Sequence, residues 1–501
     1  MRRIDDRRRT TIVTCHVDRG AARASESELF VGGHRIQATV PGVPGRSAVS
    51  GRIARRFAGA LAKPQLITVA QIGEPVPCLA VAEITSTVLA NGLPLHRIQV
   101  PGTRAVTVLV AFDAGARTER PEENGMAHFL EHLVFKGGEK YPTYRDVNEG
   151  AERNGAVLNA YTSHDLVAFH ITARATKLLE ATDLLTDFVG RSRLDQEELD
   201  KERGVVIQEI ARYNDQPSSI AEHLIDEAVF GDHPLGRPVL GTTEHLRDVF
   251  TREGIIAFRT RQWAPTRGGA FIVGNLSELD AAGERELGEL FERFPAVPVS
   301  DAYEPAPSFS PRAMVTERDS NQTHLRMSYR PKVTVTDPRQ RAALTIYATL
   351  LGGSMGSRLF DEIREQRGLA YSVGAYPHAY ADVPVLQLSA GLQSDKCIEA
   401  YRRMRDVVTE LRNDGPRPEE VERARAYAAG ARAIAFENTG AIARNAASQS
   451  IVFGQSLDPD DVIDRLDAVR FEEVVEIAAG VDDELVIACV GPHTVQEFED
   501  A

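Results

Sequence analysis

The feature that most constrains the fold is an order of predicted elements that occurs twice along the 501 residues. In each copy, a β-rich run is followed by a helix, a Gly-Gly pair and two further strands, and the pattern predicts a diverged repeat. Strands mixed with long amphipathic helices predict an α+β fold of two homologous halves, each a mostly antiparallel sheet with helices packed on one face. The elements of the first copy are the strand 106–112, the helix 125–135, Gly137-Gly138 and the strands 157–161 and 168–173. Those of the second copy are the strand 324–329, the helices 340–351 and 357–366 on either side of Gly352-Gly353, and the strands 371–375 and 385–390.

A proline-rich stretch separates the two copies. Residues 294–311 contain five prolines, which lack an amide donor and fix φ, so neither a helix nor a central strand is expected there. We therefore predict a first half over 83–293, an extended linker over 294–311 and a second half over 312–501. Two halves joined in this way predict a clamshell that encloses an extended ligand.

Residues 1–82 differ in composition from the rest of the chain. They contain 13 Lys and Arg against 6 Asp and Glu, whereas the whole chain carries a net charge of −14. Glycine and proline clusters interrupt them, so we predict a basic N-terminal extension that is partly disordered. No apolar segment follows Met1, and no run of about 18 apolar residues occurs, so neither a secretory signal nor a membrane span is expected.

Net charge and cysteine usage narrow the classes of function. The negative charge disfavours a nucleic-acid binder and suits cationic partners such as basic peptides. The four cysteines, Cys15, Cys78, Cys397 and Cys489, form no C-x-x-C pair, which argues against a zinc ribbon or a disulfide framework. A reducing compartment, the cytoplasm, is therefore predicted, with no membrane partner.

One apolar helical segment carries candidate chemistry. His128 and His132 lie four residues apart, so both imidazoles project from one face of a helix and can reach a single metal ion. Glu131 shares that side, where a carboxylate can take a proton from an activated water. This is the H-x-x-E-H arrangement of zinc hydrolases, the inverse of H-E-x-x-H.

A catalytic zinc site needs a third protein ligand and an open position. A second amphipathic pattern runs from Asp195 to about Tyr213 and places Glu202 and Glu209 seven residues apart on one helix face. Glu209 follows an apolar run and leans inward. An exposed helix glutamate remains the alternative for each of these two residues.

Together these residues resemble the pitrilysin and mitochondrial processing peptidase family of inverted-motif zinc peptidases. In that family the third ligand lies in the mid-seventies of residues beyond the second histidine, and Glu209 lies 77 residues beyond His132. The resemblance implies one zinc ion per chain on His128, His132 and Glu209, with Glu131 as general base and Glu202 as a carboxylate that supports a ligand histidine. It spans residues 83–500, and it also includes the segments Asn159–Ser163 and 233–242.

The second half adds a separate similarity. Residues 364–371 resemble the arginine–tyrosine element that family members direct toward the substrate carbonyl, which implies Arg364 and Tyr371 as donors to a developing oxyanion. Whether Arg364 or Arg367 is that arginine stays open. Aligning the Gly-Gly pairs sets three non-ligating residues opposite the H-x-x-E-H residues, so we predict no metal site in the second half. Those three residues are Ala343, Ile346 and Tyr347.

The resulting prediction is a zinc-dependent endopeptidase that acts on peptides or unfolded segments. The substrate is expected to add as a strand beside Asn159, Ala160 and Tyr161, and the net charge favours an acidic lining with a preference for basic peptides. Two alternatives are a non-catalytic scaffold subunit of the same fold and a metal-storage or non-peptidase hydrolase. A homodimer is implied by the resemblance alone.

Overall fold

The computed structural model describes residues 83–297, 303–308 and 312–501, and the backbone of strands β1 (Glu26–Val31) and β2 (His34–Thr39). By contacts the chain divides into two units, Met1–Cys78 and Leu79–Ala501. In the first unit, β1 and β2 form an antiparallel hairpin. The remainder of the predicted basic extension 1–82 lies outside the described residues, as do 298–302 and 309–311 of the predicted linker.

The first half is built on a six-stranded sheet with the strand order β3-β4-β8-β5-β7-β6. All neighbouring strands are antiparallel except β4 and β8, which are parallel. The strands are β3 (Ile84–Val88), β4 (Pro94–Gln99), β5 (Ala105–Phe112), β6 (Val157–Thr162), β7 (Val167–Arg174) and β8 (Gly268–Gly274). The helices are α1 (Met126–Val134), α2 (Tyr144–Arg153), α3 (Leu178–Gly190), α4 (Gln196–Asp215), α5 (Pro217–Phe230), α6 (Arg252–Gln262) and α7 (Ala281–Phe291).

The second half repeats this plan with a five-stranded sheet in the order β11-β12-β10-β13-β9, in which only β13 and β9 are parallel. Its strands are β9 (Arg312–Glu317), β10 (Gln322–Pro331), β11 (Ala370–Ala379), β12 (Pro384–Gln393) and β13 (Val481–Gly491). Its helices are α8 (Pro338–Ala348), α9 (Cys397–Asp414), α10 (Pro418–Ala435), α11 (Thr439–Ala447), α12 (Pro459–Asp467), α13 (Phe471–Ala479) and α14 (Val495–Glu499). The predicted α+β fold of two similar halves is thus confirmed.

Alternation along the strands explains how each sheet is covered. On β5, Val108 and Val110 pack under the helices of the first half, whereas Leu109 and Ala111 point to the opposite face. That opposite face receives α11 of the second half. The second sheet receives a helix in the same way, because α5 of the first half covers β13 through Ile225. Each sheet therefore carries its own helices on one face, as predicted, and one helix of the other half on the other face.

A buried arginine joins the two halves to the segment between them. The Arg117 side chain is fully buried, and its Nη1 donates to Asp165 of the first half (3.2 Å) and to Asp382 of the second half (3.0 Å). Nη2 donates to the Glu304 carbonyl (3.2 Å), and the guanidinium lies 3.9 Å from the ring centroid of Tyr303. A buried cation that is paired on both sides resists separation of the halves at this point.

Candidate metal centre

Helix α1 begins where two backbone segments touch. Gly125 has φ +92°, and a Cβ there would lie 2.5 Å from Gly241 Cα, so only glycine is accommodated. The buried Glu119 carboxylate accepts hydrogen bonds from the first amides of the helix, at Gly125 N (2.9 Å) and Ala127 N (2.7 Å). Because these amides have no partner within the helix, Glu119 fixes the start of the helix that carries both histidines.

Helix α4 packs beside α1 and brings the third candidate ligand to the two imidazoles. Glu209 Oε2 lies 3.7 Å from His128 Nε2 and 3.4 Å from His132 Nε2. The three ligand atoms lie within 4.8 Å of one another, the one such group of His, Cys, Asp and Glu in the described part of the chain. Ligand atoms about 2.0–2.2 Å from a tetrahedral zinc ion are about 3.4 Å apart. The residues present therefore fit a zinc ion.

Burial keeps His128 in the form that a metal ion requires. Desolvation, followed by the neighbouring His132, lowers the pKa of His128 to about 3, so its imidazole is neutral near pH 7. A neutral imidazole offers a lone pair to a cation. The two rings lie 4.6 Å apart between centroids and meet edge to face.

Glu131 lies on the same helix face and is held by a neighbouring strand. Thr162 Oγ1 at the end of β6 donates to Glu131 Oε2 (2.6 Å). Burial raises the pKa of Glu131, although the Thr162 hydrogen bond and the nearby His132 act in the opposite direction. A carboxylate with a raised pKa is a better proton acceptor, which suits a general base. Sequence reasoning did not single out Thr162, even though it lies within a segment that carries the family resemblance.

Glu202 contacts the far side of His132. Its Oε1 accepts a hydrogen bond from His132 Nδ1 (2.9 Å), and its Oε2 is paired with Lys136 Nζ. Burial disfavours the charged form of Glu202, but its bonds to His132 and Lys136 outweigh this effect and lower its pKa. Lys136 is a site residue that sequence reasoning missed; its one signal is that it lies four residues after His132.

The predicted substrate strand lies at an open edge. Among the described strands, β6 pairs with β7 alone and ends the first sheet, with α1 next to it. Ala160 N donates to Asn159 Oδ1 (2.9 Å), and burial raises the pKa of Tyr161 to about 12. An edge of this kind presents main-chain groups to an added strand.

The arginine–tyrosine element lies on the second half. Tyr371, at the start of β11, is 87% exposed, and Arg364 stacks over the Phe360 ring at 4.8 Å. Arg367 is bound to Glu362, which leaves Arg364 the freer of the two arginines. The hydrogen bonds and ion pairs of the described residues link neither Arg364 nor Tyr371 to the histidines of α1.

A cavity of about 820 Å³ lies between the halves next to this site. Tyr161 and Ile210 line it on the first half, and His378 of β11 and Tyr380, the residue after that strand, line it on the second. Ala343, Ile346 and Tyr347, the positions opposite the H-x-x-E-H residues, are buried in the core of the second half.

Residues 97–243 match the family model described as insulinase (peptidase family M16), and residues 250–427 match the one described as the peptidase M16 inactive domain. The chain belongs to peptidase family M16. The resemblance inferred from the sequence is thereby confirmed, and the inactive-domain model covers Ala343, Ile346 and Tyr347.

Similar proteins and a similar solved structure agree with this assignment. An uncharacterized zinc protease of Streptomyces coelicolor is 30% identical and covers 80% of this chain and 88% of its own length. An uncharacterized zinc protease of Bacillus subtilis is 29% identical over 80% of this chain and 97% of its own. A crystal structure of a peptidase M16 inactive domain from Pseudomonas fluorescens shares the fold, with a TM-score of 0.75, 19% identity and coverage of 82% and 99%. Among the described residues, no helix is long and apolar enough to span a bilayer.

Proposed function

We propose that this M16 chain is a zinc-dependent endopeptidase that hydrolyses peptides or unfolded protein segments. The observation that carries the proposal is the convergence of three ligand atoms from α1 and α4 beside the half-buried Glu131 carboxylate on the same helix face as the histidines. His128, His132 and Glu209 would hold one zinc ion. A bound zinc ion supplies a Lewis acid that polarises the scissile carbonyl and activates water as a nucleophile.

Glu131 is proposed as the group that moves the proton. Its carboxylate accepts a proton from the attacking water and passes it to the leaving amine. Thr162 keeps one oxygen of Glu131 in a fixed place, so the other oxygen remains to take the proton. Glu202 orients His132 through its Nδ1.

The substrate is proposed to bind as a strand along β6. Main-chain pairing with Asn159–Tyr161 tolerates many side chains, which suits an enzyme acting on varied peptides. We assign Arg364 and Tyr371 as donors to the oxyanion that develops on the scissile carbonyl, because both are exposed and neither is held in a buried ion pair.

A preference for basic peptides is proposed from the wall of the cavity. Glu222 and Asp226 lie one turn apart on α5, and neither forms an ion pair within the part of the chain that the structure describes. Burial, and then Glu222, raise the pKa of Asp226 to about 8. A cationic side chain placed there would restore the charged form. Equal turnover of matched basic and acidic peptides at low salt would contradict this preference.

A non-catalytic scaffold of the same fold is the second candidate function. Glu131→Gln distinguishes the two, because the amide keeps the shape of the side chain but cannot accept the proton. We expect the variant to retain one zinc ion per chain and to lose cleavage of a peptide library. Turnover equal to that of the unmodified chain would remove Glu131 as the base, and absence of cleavage by the unmodified chain would favour the scaffold.

We also propose a cellular location and an oligomeric state. Cys397 and Cys489 are free and buried, which agrees with a reducing compartment, and we propose the cytoplasm. A homodimer is proposed from the family resemblance. Cell fractionation and analytical ultracentrifugation test the two statements separately.

A further inference from the structure

We infer that Lys136 is a positioning residue that fixes the orientation of His132 through Glu202. The inference rests on the proposed function, because it concerns how one ligand of the zinc centre is held. Lys136 lies beyond the last residue of α1, and the hydrogen bonds and ion pairs of the described residues join it to neither histidine. Its ammonium group acts on the centre through the Glu202 carboxylate.

The Glu202 carboxylate is shared between two partners. Oε1 accepts from His132 Nδ1 at 2.9 Å, and Oε2 is paired with Lys136 Nζ. The Glu202 side chain is only 6% exposed, so little water is present to replace either partner. With both oxygens engaged, the carboxylate plane cannot rotate, and the imidazole plane of His132 is set by it.

The backbone after α1 places Lys136 for this contact. Lys136 N donates to the Leu133 carbonyl (3.1 Å), which keeps the chain wound for one more residue. Gly137 follows with φ +133°, a conformation that L side chains rarely adopt, and its carbonyl accepts from Arg193 N (3.0 Å). The turn is therefore anchored on both sides, and the lysine stem is directed back along the helix toward Glu202.

The other histidine has no equivalent support. His128 Nδ1 is buried and makes no hydrogen bond among the described residues. Packing alone orients the His128 ring. Among the described side chains, only Glu202, held by Lys136, orients a ligand ring of this centre through a hydrogen bond. Loss of Lys136 would leave Glu202 free to turn away from His132.

The test measures zinc affinity of the apoprotein by chelator competition for the unmodified chain, Lys136→Met and Lys136→Arg. We expect Lys136→Met to raise the zinc dissociation constant about tenfold, as is typical when support of a metal ligand is lost. Arginine keeps a cation at this position, so Lys136→Arg should retain most of the affinity. Lys140→Met is the matched control, since Lys140 pairs with Asp183 away from the histidines (2.6 Å) and its loss should leave zinc affinity unchanged.

A double variant separates positioning from general destabilisation. Because Lys136 acts through Glu202, adding Lys136→Met to Glu202→Gln should weaken zinc binding no further. Zinc affinity of Lys136→Met equal to that of the unmodified chain, or an additive loss in the double variant, would overturn the inference. This readout needs no peptide hydrolysis. A chain that shows the expected zinc pattern yet cleaves no peptide would support the inference and refute the proposed function.

Discussion

At the scale of single residues, two opposing effects act on the pKa of Glu131: its burial and a hydrogen bond from one hydroxyl group. Burial raises its pKa, and the 2.6 Å bond from Thr162 Oγ1 lowers it. Thr162→Val removes the donor at nearly constant volume, so the pKa of Glu131 should rise further. The deprotonated base then persists only at higher pH, and the acid limb of the kcat/KM profile should move upward when measured with a fluorogenic peptide from about pH 5 to 9.

The conservative variant provides the control for this prediction. Thr162→Ser keeps the hydroxyl and should return the acid limb to its original pH. If Thr162→Val and the unmodified chain gave the same profile, the hydroxyl would have no effect on the base and Glu131 would not be the titrating group.

Residue-scale chemistry was predictable from the sequence only where it follows helical spacing. His128 and His132, and likewise Glu202 and Glu209, are each related by whole turns of one helix, so their shared faces follow from periodicity. Thr162 and Asp382 act on residues that lie in other elements. Such contacts depend on tertiary packing, which spacing along one element does not encode.

At the scale of elements, helix α10 is fixed by Glu420, whose side chain is 2% exposed. Burial alone would raise the pKa of Glu420, but hydrogen bonds from Arg358 and Arg417 outweigh it and lower the pKa from 4.5 to about 2. Because Arg417 is 66% exposed and water screens its share of the effect, the lowered pKa corresponds to about 2 kcal/mol of stability, present above about pH 4.5 and lost as the pH falls through 2. Glu420→Gln should therefore lower the free energy of unfolding at pH 7 by about that amount, as measured in urea.

The neighbouring glutamate gives a matched comparison. Glu419 pairs with Arg417 at 3.5 Å, but its side chain is 65% exposed, so Glu419→Gln should change the unfolding free energy by less than about 0.5 kcal/mol. The difference between the two variants should shrink as the pH is lowered toward 2. A difference that is independent of pH would contradict the assignment.

The open edge β6 predicts a pattern in the substrate. In a strand, alternate residues direct their main-chain groups toward the same neighbour. N-methylation of successive peptide residues should therefore reduce kcat/KM at every second position near the scissile bond. A scan of singly N-methylated peptides measures this. Losses without a two-residue alternation would contradict strand addition at Asn159–Tyr161.

At the scale of the whole molecule, the repeated order of elements was predictable. The packing of one helix from each half on the sheet of the other half was not. The strands predicted in both halves agree with the observed ones within about four residues, because a buried strand must be apolar whatever covers it. The pattern on α5 and α11 shows an apolar face but does not say which sheet receives it. Pairing of α5 with β13, and of α11 with β5 and β8, depends on how the halves dock.

Substitution of Arg117 tests how firmly the two halves are joined. Arg117→Met leaves Asp165 and Asp382 without their cation and should lower the unfolding free energy by about 3–5 kcal/mol. It should also increase the radius of gyration measured by small-angle X-ray scattering, because the ties to the second half and to Glu304 are lost together. Arg293→Met is the control: it breaks a pair with Asp183 inside the first half, and should reduce stability without changing that radius. An unchanged radius in Arg117→Met would show that other contacts hold the halves.

The central claim is that one zinc ion is held by side chains from two helices. Anomalous scattering at the zinc absorption edge, recorded from crystals of the zinc-loaded chain, measures this directly. We predict a single strong peak about 2.0–2.2 Å from His128 Nε2, His132 Nε2 and a carboxylate oxygen of Glu209. No peak between α1 and α4, or a peak whose ligands do not include Glu209, would contradict it.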